Sequence, residues 1–225
     1  MSNYTKEPIV AVITGGHAYD VIGFREMFAG FSGIKAYVQS LDDFASSEDH
    51  VRAEYDCIVF YNFQQETPDD TKCTWFTGMH RSVLEELAAN DQGILFLHHG
   101  LLAYREWQTW SDLIGIQKRT FTYKPDQQVN LIPTAVAHPI TAGMQPWTMV
   151  DEIYGMDENL DGEVLLTTDH PESMNSIAWV REIGTKRVFC FASGHDHQTF
   201  VNPGFQEVLL RGIHWVSGVL GESRP

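Results

Sequence analysis

The chain has 225 residues, 43% of them hydrophobic and 20% charged, with 6 Trp and 13 Phe; this suits one domain with a sizeable core and excludes intrinsic disorder. Its 15 Lys and Arg against 30 Asp and Glu leave a formal charge of -15, which repels phosphate backbones and anionic lipid and argues against nucleic-acid or membrane partners. No apolar run approaches the ~20 residues of a membrane span and Met1 to Glu7 lacks a signal-peptide apolar stretch, so a cytoplasmic protein is expected.

Ile9 to Ile13 is a continuous apolar run closed by Thr14-Gly15-Gly16, the pattern of a doubly buried strand ending in a turn. Asp20 can cap a helix with Val21, Phe24, Met27 and Phe28 on one face and Gly30 at its end. Ile34 to Val38 reads as a short strand, Asp42 to Glu54 as a loop or short helix, and Cys57 to Tyr61 as the next buried strand. A long loop through Gln64 to Asp70 precedes an amphipathic helix marked by Met79, Val83, Leu84, Leu87 and Ala88. The strand Gly93 to Leu97 ends in His98-His99-Gly100, and Leu101 to Ile114 is expected to be helical with Gly115 as its stop. Short strands are expected at Val129 to Val136, Glu163 to Thr167, Ser176 to Val180 and Arg187 to Phe191. The last helix has Asn202 as cap, Pro203 at its first position and Phe205, Val208, Leu209, Ile213 and Val216 on one face. This alternation predicts an α/β fold, a mostly parallel sheet with helices on both faces and an antiparallel insertion in the second half. One domain is expected over residues 1–225, with its core at about 9–219.

Ligands of open α/β sheets bind at the carboxyl ends of strands, and histidines crowd those ends here. His17 follows the first strand, His98 and His99 end the Phe96 strand, and His195 and His197 follow the Phe191 strand through Ala192-Ser193-Gly194. Any one of them alone would be read as a hydrogen-bonded structural histidine. Five at three strand ends, taken to be neighbours, point to a shared cleft. Gly15-Gly16, Gly100 and Gly194 allow close backbone approach, although ordinary strand-to-helix turns use glycine in the same way. The stretch T-G-G-H-A-Y-D lacks G-x-G-x-x-G, so no nucleotide cofactor is expected.

A second cluster is Asp151-Glu152-Ile153-Tyr154. On an extended chain its two carboxylates point opposite ways, so one would face a site while the other caps or pairs; a solvated acidic turn is the plainer alternative. Imidazole with carboxylate suits a divalent metal ion with open positions, but no HExxH-like spacing fixes which residues would hold it. Tyr19, Tyr61, Trp107 and Trp110 are candidate stacking faces for a sugar, or core aromatics. Cys57, Cys73 and Cys190 are odd in number and lack CxxC spacing, which predicts neither disulfides nor a cysteine zinc site.

The ordered motifs V-I-T-G-G-H (12–17), L-H-H-G (97–100), H-P-I-T (138–141), D-E-I-Y (151–154), S-G-H-D (193–196) and N-P-G-F (202–205) resemble those of the ThuA-like, trehalose-utilisation family. That resemblance implies a three-layer fold, flavodoxin-like and similar to class I glutamine amidotransferases. Those enzymes need a cysteine on the turn after a central strand; this turn carries His98-His99-Gly100, Cys57 and Cys190 fall inside strands and Cys73 in a loop, so thioester chemistry on glutamine is not expected. Ala18-Tyr19 stands where many relatives carry another polar residue or histidine, which leaves the role of Tyr19 open.

The resemblance further implies carbohydrate catabolism: processing of 3-keto (3-dehydro) sugars or glycosides supplied by a partner oxidoreductase, by elimination and hydration or by isomerisation. It implies His99, His195, His17 and Glu152 as catalytic candidates and His98, Tyr19, Asp151, Tyr154 and His197 as substrate-binding ones, with a divalent metal held by some of His17, His99, His195 and Glu152. The competing readings are a non-catalytic sugar-binding or regulatory module and a metal-dependent hydrolase of another small molecule. A homodimer is an expectation resting on aromatic residues at Cys73-Thr74-Trp75-Phe76.

Overall fold

Apolar runs closed by turn residues become strands buried on both faces, and the amphipathic segments between them become the helices that cover those faces. The structure, a computed structural model, describes residues 6–135, 137–158 and 160–220. The first four strands are β1 (Ile9–Thr14), β2 (Lys35–Ser40), β3 (Cys57–Phe60) and β4 (Gly93–Leu97). The remainder are β5 (Phe121–Pro133), β6 (Trp147–Met156), β7 (Glu163–Thr167), β8 (Ser176–Ile183) and β9 (Lys186–Phe191). The helices are α1 (Val21–Gly30), α2 (Leu41–Ser46), α3 (Asp49–Arg52), α4 (His80–Ala89), α5 (Gln108–Ile114), α6 (His197–Phe200) and α7 (Pro203–Val216).

The described strands form one sheet in the order β2-β1-β3-β4-β9-β8-β7-β5-β6. β2, β1, β3, β4 and β9 pair in parallel, and β9, β8, β7, β5 and β6 pair antiparallel. The expectation of a mostly parallel sheet therefore holds for one half only, and the sheet is mixed. The cause is connection length: helical crossovers return a chain in parallel, whereas the two residues Gly184 and Thr185 between β8 and β9 can only reverse it. Phe24 and Phe28 of α1 and Phe205, Val208 and Leu209 of α7 share one core with Val10 and Val12. Ala11 and Ile13 face the opposite core with Phe44 of α2, Leu84 of α4 and Trp110 of α5. These are the three layers.

Two expectations are corrected, at Leu101 to Ile114 and at Val21, and two alternatives that the sequence left open are decided. The helix expected over Leu101 to Ile114 starts only at Gln108, because the guanidinium of buried Arg119 takes the carbonyls of Leu101, Ala103 and Tyr104 that a helix would use internally, and Tyr104 has φ of 47°. The acidic stretch around Asp151 is the middle of a ten-residue strand, β6, not a turn. Val21 is largely exposed, since α1 turns Gly23, Phe24, Met27 and Phe28 inward. Trp107, Trp110 and Tyr61 are buried in the cores and offer no open face to a sugar. The strand expected over Val129 to Val136 lies within β5, which begins earlier and ends at Pro133; Val136 lies outside the described residues. Trp75 and Phe76 are exposed, Trp75 by 89%.

Candidate functional site

β4 delivers two adjacent imidazoles into the centre of the carboxyl edge. His98 lies immediately beyond the strand with φ of 46°, a left-handed conformation that an L-residue adopts at a cost. The chain then tightens into a single 3-10 turn, His98–Leu101. Gly100 sits directly on the Phe60 carbonyl of β3, where a Cβ would have no room. Both histidines are buried, His99 to 2% exposure. His98 Nδ1 lies 2.7 Å from the Ala192 carbonyl. A carbonyl can only accept, so Nδ1 carries a proton and Nε2 is the atom that His98 turns to the site. That Nε2 lies 2.7 Å from the Tyr154 hydroxyl, 3.2 Å from His195 Nδ1 and 3.5 Å from Glu152 Oε1. His99 differs, because neither of its buried ring nitrogens has a hydrogen-bond partner among the described residues.

β6 supplies the carboxylates, and the period of an extended strand sends the neighbours opposite ways. Glu152 faces the imidazoles, with Oε1 also 3.5 Å from His195 Nδ1. Asp151, 3% exposed, turns to the loop after β9. Its Oδ2 accepts from Gly194 N at 2.9 Å, and its Oδ1 from His195 N at 3.0 Å, Glu152 N at 2.9 Å and Thr199 Oγ1 at 2.9 Å. Tyr61 of the β3 end adds a hydroxyl that donates to the Gly194 carbonyl at 2.9 Å. Sequence reasoning gave Tyr61 and Thr199 no part in this anchoring; both read as core or helix residues, and only the fold puts them against the His195 loop.

His17 comes from the β1 loop. β3 lies between β1 and β4, so the three strand ends are not all neighbours as expected. The Gly15-Gly16 loop nonetheless reaches across, and the exposed His17 ring lies on His99 with centroids 4.0 Å apart and 6.2 Å from that of His195. Tyr19 packs edge-on against Phe24 and Tyr61. His197 begins α6 and pairs with Asp20, the α1 cap, at 3.1 Å. Tyr154 is buried, its ring stacked on His98. One candidate ligand atom from each of His98, His99, Glu152 and His195 lies within 4.8 Å of all the others. That set contains His98, which the sequence reading kept out of the metal candidates, and leaves His17 outside.

Burial keeps His99 neutral, well below the usual imidazole range, and the neighbouring His98, His17 and His195 push the same way. His195 is also lowered, by burial and then by His98, against the pull of Glu152 and Asp151. Burial alone would raise Glu152, yet hydrogen bonding from His98 and the charge of both imidazoles hold it below the usual carboxylate range. Tyr154 is raised by burial and by Glu152. Imidazoles beside an ionised carboxylate form a donor set for a divalent cation or a proton-transfer site.

The family model for trehalose utilisation matches residues 13–216. The chain belongs to the ThuA family. A ThuA-like protein from Parabacteroides merdae is 15% identical and superposes with a TM-score of 0.73, over 98% of this chain and 94% of its own. A cytoplasmic protein of Salmonella typhimurium LT2, 12% identical, gives 0.63 over 92% and 99%. PurLQS from Thermotoga maritima, 14% identical, gives 0.56 over 93% and 99%, so the ThuA chain has the glutamine amidotransferase-like fold. No protein with a curated description matches the sequence. Where an amidotransferase needs a thiolate, this ThuA chain buries Cys57 and Cys190 completely, and burial pushes Cys57 up to about 12. Among the described residues, no helix is long and apolar enough to cross a membrane.

Proposed function

We propose that the chain acts on 3-keto sugars or glycosides, breaking the C1 glycosidic bond by elimination and hydration or moving the carbonyl by isomerisation. The observation that carries this reading is the convergence of His98, His99, Glu152 and His195, with the exposed His17 ring lying over His99. A ketone at C3 acidifies the C2 proton. His17 reaches solvent and stands outside the four-residue cluster, so it is the group suited to take that proton. The electron pair moves into an enolate, re-forms the C3 carbonyl and expels the C1 oxygen, which leaves as an alcohol with the proton that His17 returns. Water then adds at C1 and a proton at C2, completing a net hydrolysis. A C3 ketone is made by oxidising a hydroxyl, so an oxidoreductase must supply the substrate.

The cluster fits a divalent metal ion. His99 has two buried nitrogens without hydrogen-bond partners among the described residues, a costly arrangement that a cation or an ordered water relieves, and His98 turns Nε2 toward Glu152 and His195. His98, His99, Glu152 and His195 would hold the ion, which would supply electrophilic stabilisation of the developing enolate charge. The chain's own groups do the rest: Tyr154 orients His98, Asp151 fixes the His195 backbone, and His17 moves the proton.

The test is turnover of a 3-keto glucoside by protein stripped with chelator and reloaded with Zn²⁺, Mn²⁺ or Co²⁺. The reloaded protein is expected to release the aglycone. His17→Ala is expected to lower kcat by roughly 10²–10⁴ while still binding metal, and Glu152→Gln to lose metal affinity. Protein that binds the sugar with no turnover under any metal loading would replace this reading with a sugar-binding module.

A further inference from the structure

A groove of about 530 Å³ runs beside the histidine cluster, between the Gly16 loop and the long segment leading to α4. Its walls include Gly16, Phe63, Gln64, Gln65, Pro68 and Tyr104. It shares two walls with the candidate site. The Phe63 ring lies 5.5 Å from both His17 and His99, and Gly16, one residue before His17, leaves no space for a Cβ against the Phe63–Gln64 backbone. Phe63 N also donates to the Gly15 carbonyl at 2.8 Å. Groove and cluster are therefore interlocked, and a molecule lying on Phe63 sits one residue from the proton-transfer histidine.

The lining selects among occupants. Lys72 is paired with Glu66 at 2.9 Å and His80 with Asp42 at 2.8 Å. With Lys72 and His80 so engaged and a net charge of -15 over the chain, nothing in the groove favours an anionic group. Asp69 also lines the groove, its Oδ1 accepting from Thr71 N and Oγ1, and the rest of the lining is neutral. Gln64 is oriented by buried Asn62, whose Nδ2 donates to Gln64 Oε1 at 2.6 Å and to the Tyr104 hydroxyl at 3.2 Å. That anchoring leaves the Gln64 Nε2 donor against Gly15, bonded to no group among the described residues. Tyr104 is held at φ of 47° by its own N–H donating to the Gln64 carbonyl, and an uncommon backbone conformation kept beside a pocket is a mark of a built site. The Gln64 amide beside the Phe63 ring matches a neutral, hydroxyl-bearing ring.

We propose that this groove is the leaving-group subsite, that it takes a second sugar ring, and that Gln64 determines specificity by donating to one of its hydroxyls. The proposal rests on the reading of the histidine cluster as the site of glycosidic cleavage. The experiment compares kcat/KM for a 3-keto glucosyl-glucose disaccharide, for methyl 3-keto-glucoside and for 4-nitrophenyl 3-keto-glucoside, in wild type, Gln64→Met and Gln65→Trp. Circular dichroism checks that each variant is folded. The wild type is expected to prefer the disaccharide, and the disaccharide-to-methyl ratio to fall about tenfold in each variant, the size of one lost hydrogen bond or a partly filled subsite. An unchanged ratio in both folded variants would overturn the groove assignment. A preference for the aryl glycoside over the disaccharide would overturn its sugar specificity. If the wild type turns over none of the three, the cleavage reading has failed, and saturation-transfer NMR with unoxidised glucosyl-glucose still decides the groove: signal lost in Gln65→Trp supports it, and signal equal to wild type, or none in either, rejects it.

Discussion

Replacing Asp151 by Asn changes one oxygen to an NH₂ group and should unlatch the His195 loop. The native carboxylate is 3% exposed and accepts four hydrogen bonds, three at Oδ1 and one at Oδ2. An asparagine can keep the three Oδ1 acceptances, but its Nδ2 then faces Gly194 N, donor against donor. One charge-assisted bond is lost, at about 1.5–3 kcal/mol, and a buried N–H is left unsatisfied, with the two costs overlapping to give roughly 2–4 kcal/mol. For a chain of this size that corresponds to a fall of roughly 4–16 °C in Tm. Asp151→Ala, which strands all four donors, should cost more. Urea unfolding with a common slope gives the difference directly. An Asp151→Asn protein within about 0.5 kcal/mol of wild type, the range of an unremarkable surface change, would refute the view that this carboxylate latches the loop.

Arg119 is buried without a carboxylate partner among the described residues and donates to the carbonyls of Leu101, at 2.9 Å, and Tyr104, at 2.7 Å, and to Ser111 Oγ at 3.2 Å; Arg119→Lys, with a point charge in place of a fork, should cost roughly 2–4 kcal/mol in urea unfolding. A cost below about 0.5 kcal/mol would show that this segment holds its shape unaided. Burial keeps His138 and His214 below the usual imidazole range, so the unfolded chain takes up protons that the native state refuses as pH falls through about 6.5. Stability is therefore expected to be full above about pH 7.5 and to decline as pH falls through about 6.5, above ordinary carboxylate titration. His214→Gln should show a shallower decline in the same denaturation series, and an identical slope would rule out this histidine as a contributor.

Elements whose local signals agree were legible from sequence. α7 has its Asn202 cap, Pro203 at the first position and an apolar face, and it forms as read; β1 and β4 are unbroken apolar runs between turn residues. β6 was not legible, because Asp151 and Glu152 interrupt its apolar pattern and their partners, the amides of Gly194 and His195 and the imidazole of His98, are supplied by remote segments. The same holds for Leu101 to Tyr104, helical in pattern but claimed by Arg119. At the site, strand-end position picked out His17, His98, His99 and His195 from the sequence. Which of them lie within ligand distance of one another depended on loop paths that residue spacing does not encode.

The left-handed backbone at His98 sets local comfort against the chemistry of the cleft. Only glycine takes that conformation freely, and other residues pay roughly 1–2 kcal/mol for it. A His98→Gly chain would relax the bend but empty a fully buried site and take the imidazole from the Ala192 carbonyl and the Tyr154 hydroxyl, a larger cost than the relief. The contacts that build the cleft are therefore also what holds the backbone in its strained shape, and melting temperature and the cleft are lost together at this position.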